Sequence, residues 1–203
     1  MIRQLIVGTL FTIAPAALTA AEPIGVTKLT VSYKRDRLAE VFSIRQATAT
    51  FISAEPFTNA KVRIDCYRNG QKIRSFVALS VGHNAPQTSA DISIQTVDLD
   101  VLALGPPKPG FTRLFCKIET HGEGVPLLSA QTHDLEKASF EAHSVAGSSL
   151  FIERSVFEGA IPLFYTLSRT RTVVGATSPA KLLAANPKSD IMMVSIVLTS
   201  SGE

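Results

Sequence analysis

Four histidines, His83, His121, His133 and His143, are the side chains of this 203-residue chain best suited to hold a metal ion. Two have carboxylates close by, in His121-Gly122-Glu123 and His133-Asp134-Leu135-Glu136. Zinc sites converge three or four ligands, usually at spacings such as HExxH or with paired cysteines. Neither pattern occurs here, so His121 and His133 stand as metal candidates against the competing reading of solvated histidines in loops. Nucleophilic catalysis would need a Ser or Cys beside a base and an oxyanion hole. There is no GxSxG elbow, and Ala146-Gly147-Ser148-Ser149, with His143 nearby in sequence, reads first as a Gly-Ser turn. Asp98 and Asp100 share one face of an extended segment and have the spacing of an acid–base pair, but also that of two solubilising carboxylates. Arg169 and Arg171 share a strand face and form a candidate anion or partner surface, set against two guanidinium groups that simply meet water. No Gly-rich phosphate loop is present, and no cofactor is implied.

Cys66 and Cys116 are the only cysteines. How they are read depends on compartment, and compartment on the N-terminus. Met1-Ile2-Arg3-Gln4 precedes an apolar stretch from Leu5 to Leu18, then Thr19-Ala20-Ala21. That is the pattern of a signal peptide, residues 1–21, with small residues at −3 and −1 of a cut after Ala21. The run is short for a bilayer core of ~30 Å, and Pro15 interrupts it. In an exported, periplasmic or secreted protein, two cysteines are most simply a Cys66–Cys116 disulfide. Without Arg3 the chain keeps 19 basic against 17 acidic residues. The pI near 9.0 therefore reflects a small excess and no basic tract, which argues against a nucleic-acid surface. No later segment is long enough for a stable membrane span.

The elements that must position these residues read as strands. Period-two alternation recurs in short blocks separated by turn residues. Leu29, Val31 and Tyr33 share one face, with Lys28, Thr30 and Ser32 on the other. A long β-prone segment from Glu40 to Ser53 ends at Glu55-Pro56. Val62, Ile64 and Cys66 then point one way, and Lys61, Arg63 and Asp65 the other. Asn69-Gly70 is a hairpin turn, because both positions tolerate positive φ. The return strand runs from Lys72 to about Val81, with a polar loop from Gly82 to Ser89. Ile92 and Ile94 differ in parity from Val97, Leu99 and Val101, so a bulge or break is expected near Gln95-Thr96. After the Pro106–Pro109 connector, Leu114, Cys116 and Ile118 share an apolar face. Val125 to Thr132 and Ile161 to Val174 read as strands, the latter preceded by a Glu158-Gly159-Ala160 turn. Ser178 caps a short helix that opens with Pro179 and ends at Asn186-Pro187. Ile191 to Leu198 is a strand buried on both faces, with a strand offered to another subunit as the alternative.

The Asn69-Gly70 hairpin and the run Pro109-Gly110-Phe111-Thr112-Arg113-Leu114-Phe115-Cys116 resemble bacterial immunoglobulin-like sandwich domains over about residues 24–137. The resemblance implies an antiparallel β-sandwich whose two cysteines bridge its sheets. There is no Trp to pack on such a bridge, and Leu114 stands where a tyrosine corner would be. The expected organisation is a mainly β protein: an immunoglobulin-like sandwich at 22–137, then a smaller β-rich extension or second domain at 138–203 with one short helix. The expected function is a non-enzymatic binding or assembly module whose partner is another envelope or surface protein. The alternatives are a small-molecule or metal-binding protein using the histidine loops, and a hydrolase.

Overall fold

The computed structural model describes residues 24–34, 44–98, 109–136, 156–167 and 178–200. Residues 1–21, Asp100, His143, Ser148, Ser149, Arg169 and Arg171 lie outside them, as does the side chain of Asp98. The strands are β1 (Val26–Lys34), β2 (Ile44–Arg68), β3 (Gln71–Asp98), β4 (Phe111–Gly122), β5 (Leu127–Glu136), β6 (Ile161–Leu167) and β7 (Asp190–Thr199). Among the described residues one helix, α1 (Pro179–Ala185), precedes β7. All seven strands join one antiparallel sheet of order β5-β4-β3-β2-β7-β6, with β1 on β2. No helix among the described residues is long and apolar enough to cross a membrane.

The frame is the hairpin of β2 and β3, turned at Asn69 (φ 52°) and Gly70 (φ 74°) as that dipeptide requires. Its open half carries β1 on one side and β4 on the other; its turn half carries β7. Between the halves the register shifts at Ile52/Phe57 and Phe57/Asn59. There the core-facing parity of β2 changes from Ala47, Ala49 and Phe51 to Ala60, Val62, Ile64 and Cys66. Both sets enter one main cluster with Leu114, Ile118, Val194 and Ile196, so the two halves of the hairpin share one core.

Several expectations change here. Pro56 does not end the strand: β2 runs through it, because Pro56 falls within the unpaired interval where a missing N–H costs no ladder bond. Residues 82–89 are extended chain within β3 and not a loop. Buried Gln87 shares its Nε2 protons among the carbonyls of Ala85, Pro86 and Glu123 at 3.0–3.2 Å, and the Pro86 carbonyl also accepts from the Glu123 N–H at 3.1 Å. The bulge expected at Gln95-Thr96 is absent. Ile94, Gln95, Thr96 and Val97 pair in unbroken register with β2 and β4, and Thr96 follows Ile92 and Ile94 into the core while Val97 is buried on the other face. The strand expected from Val125 to Thr132 instead runs from Leu127 to Glu136.

The strands beyond residue 137 belong to this same sheet. β7 pairs with β2 from Asn59↔Thr199 to Arg68↔Asp190 and lies between β2 and β6. Met192, Val194 and Ile196 on one face enter the main core and Ile191 and Met193 on the other enter a smaller cluster, so it is buried on both faces as its apolar run anticipates. α1 begins at Ser178, whose Oγ accepts from the Lys181 N–H, and ends at Asn186, as its cap residues dictate.

Candidate functional site

The most deeply buried charge is on the face of β2 that alternation assigns to water. Asp65 is 0% exposed. Its Oδ2 accepts from Arg63 Nε at 2.9 Å, and Lys72 Nζ stands 3.4 Å from Oδ1. Arg63 also donates to the carbonyls of Glu158 (2.7 Å) and Phe157 (3.4 Å). Lys72 pairs with the Glu158 carboxylate, which accepts from Tyr67 Oη at 3.3 Å. Burial, reinforced by Asp65 and Glu158, pushes the Tyr67 phenol well above its ordinary range. The turn Phe157–Ala160, with Glu158 and Gly159 at positive φ, is thereby clamped over β2. Beside it Tyr67, Tyr165, Leu182, Ile191 and Met193 form a second small core. Alternation missed this because the covering residues lie some ninety positions away in the chain. A sealed carboxylate held by two cations under a turn is a latch, with no face open to a substrate.

The histidines are separated by the sheet itself. His121 lies on the outer face of β4, its Nε2 3.1 Å from Asp91 Oδ2, and Thr50 Oγ1 donates to the other oxygen of Asp91. The carboxylate stands between hydroxyl and imidazole, so His121 has no path to the Thr50 proton, unlike the base of a Ser-His-Asp triad. His133 is on the inner face of β5, where Nε2 donates to the Ala78 carbonyl at 2.8 Å and the ring packs on Phe76. That bond closes the seam between β5 and the turn half of β3. His121 and His133 therefore cannot share one ion. Among the described residues no three His, Cys, Asp or Glu side chains come together as a metal site. His83 packs edge-on against Phe57, and burial lowers its pKa.

The disulfide is corrected as well. Cys66 and Cys116 both face the core, as their parity requires, but both thiols are free. Parity sets a face and not a position along the strand. Cys66 pairs with Arg74 and Met192 near the hairpin turn, whereas Cys116 pairs with Ile94 and Gln131 in the open half. Burial pushes each thiol up to about 12, so neither supplies the thiolate that disulfide exchange needs.

Among the described residues, two further surfaces carry side chains suited to a partner or ligand. β5 ends the strand order and, among the described residues, hydrogen-bonds only to β4, through pairs from Phe111↔Glu136 to Thr120↔Leu127. Arg113 pins its far end with a two-pronged bond to Asp134 at 2.7 and 2.9 Å. Its near end shows Val125, Leu127 and Leu128, which are 87%, 40% and 57% exposed. The other surface is the outer face of the open half, where Gln46, Gln95, Phe115 and Thr132 stand directly opposite one another across four strands. No family model, curated protein or solved structure matches this chain.

Proposed function

We propose that this chain is an exported, non-enzymatic binding module that joins another envelope or surface protein through the open edge of β5. The observation carrying this reading is the character of that edge. An unpaired strand edge is a template for another strand, and sheets ordinarily blunt it with Lys, Pro or a very short strand. β5 is ten residues long, contains no Lys, Arg or Pro, and begins beside three exposed apolar side chains. The fitting partner is an extended segment that adds its backbone to the edge and buries side chains on Leu127 and Leu128. Export rests on the signal-peptide pattern of residues 1–21. The finer fold assignment within this proposal is a sandwich-like closure of the sheet. One core draws on both halves of the hairpin, which supports it; the same two strands running through both halves depart from the immunoglobulin-like pattern.

The test is in-cell photo-cross-linking from position 128, with position 30 on the far strand β1 as control, followed by mass spectrometry. A few reproducible adducts to one envelope protein from position 128 alone are expected. Equal labelling from both positions, or a clean monomer, overturns the reading.

A further inference from the structure

We propose that the outer face of β2, β3, β4 and β5 binds a neutral oligosaccharide. An open groove crosses this face, lined chiefly by Gln46, Ser93, Gln95, Phe115, Lys117 and Thr132. Its axis is the cross-strand row Gln46–Gln95–Phe115–Thr132, three strand spacings long. At ~4.8 Å per spacing the row is ~14 Å, too long for one sugar ring and suited to a short chain of them.

The chemistry of the lining selects the ligand class. Each Gln side chain both donates and accepts, as does each Ser or Thr hydroxyl, and sugar hydroxyls do the same. Gln46 Nε2 already donates to Ser93 Oγ at 3.2 Å, which holds the amide in place before any ligand arrives. Phe115, 38% exposed, offers an apolar ring in the middle of the row, on which the C–H face of a pyranose can stack. The lining's single charged side chain, Lys117, has its ammonium 3.5 Å from the Glu119 carboxylate. Anionic polymers thus find no uncompensated cation here. A peptide fits less well, because the backbone groups under the groove are spent in the sheet ladder and only side chains can bond the ligand. This surface is distinct from the β5 edge: it lies on the flat of the sheet, and its occupant needs no strand pairing.

The test is calorimetric titration of the mature full-length chain with cellohexaose, chitohexaose and maltohexaose, using a heparin fragment as the anionic comparison. Saturable binding of at least one neutral hexaose is expected. Phe115→Ala and Gln95→Ala should each weaken it roughly tenfold or more, while Val125→Lys, at the exposed turn before β5 and outside the groove, should leave it within about twofold. Both weakening substitutions are on the solvent face, so an unchanged circular dichroism spectrum and melting curve should accompany them. The proposal is overturned if none of the neutral oligosaccharides binds, if only heparin binds, or if binding survives both substitutions.

Discussion

Replacing Asp65 with alanine tests whether the buried latch holds the Phe157–Ala160 turn over β2. The wild-type carboxylate is fully buried, with Arg63 Nε at 2.9 Å and Lys72 Nζ at 3.4 Å. Removing one partner of a buried pair costs about 3–5 kcal/mol, because the other charge is left without its counterion. Two features lower that figure. Arg63 keeps its bonds to the carbonyls of Glu158 and Phe157, and Lys72, 31% exposed, keeps both Glu158 and access to water. A loss of about 2–3 kcal/mol follows, and for a chain of this size that lowers Tm by roughly 5–10 °C. Urea unfolding at pH 7, monitored by circular dichroism, measures the loss, and a cycle with Arg63→Ala isolates the pair. The cycle should return a coupling of at least about 1 kcal/mol. Strict additivity, or a loss for Asp65→Ala below about 0.5 kcal/mol, would refute the latch and place Arg63 and Asp65 in solvent, as simple alternation expects.

Three further outcomes follow from other parts of the sheet. A Cβ on Gly122 would lie 2.6 Å from both Gln87 Cα and the Pro86 carbonyl oxygen, which are backbone atoms and cannot swing aside. Gly122→Ala should therefore cost several kcal/mol, on the order of the larger overpacking penalties, whereas alanine at a freely exposed position should cost little; equal urea midpoints for wild type and variant would contradict the close approach. The thiols of Cys66 and Cys116 should take up no alkylating reagent in the native protein and two equivalents in urea, read by intact mass, and an unalkylatable unreduced protein in urea would restore the disulfide. Because burial raises both from 9.0 to about 12, the folded state prefers them neutral. Their contribution is fully present below pH 9.0 and is lost as pH rises toward 12, so stability should fall across that window, and less steeply in a Cys116→Ala variant.

Much of the strand content was legible in the sequence, since period-two alternation is a local consequence of the pleat. Val62, Ile64 and Cys66, and likewise Leu114, Cys116 and Ile118, face the core as their spacing requires. The Asn69-Gly70 turn, the Ser178 cap and the doubly buried β7 were legible for the same reason: each depends on residues within a few positions of one another. Of the candidate sites, only the face of each residue could be read. His121 and His133 differ by an even number of positions, yet the Gly122–Pro126 connection reverses the chain and puts them on opposite faces.

What only the tertiary structure decided concerns partners distant in the chain. Strand continuity through Pro56 and through residues 82–89 depends on the register of one strand against another, and no local pattern encodes that register. Asp65 became a buried ion because a turn at 157–160 covers it, and Cys66 and Cys116 stayed apart because pairing sets position along a strand while alternation sets only its face. The row Gln46–Gln95–Phe115–Thr132 likewise exists only once four strands lie side by side. Local chemistry determines which way a side chain points, and the free energy of closing the whole sheet around its core determines what it meets there.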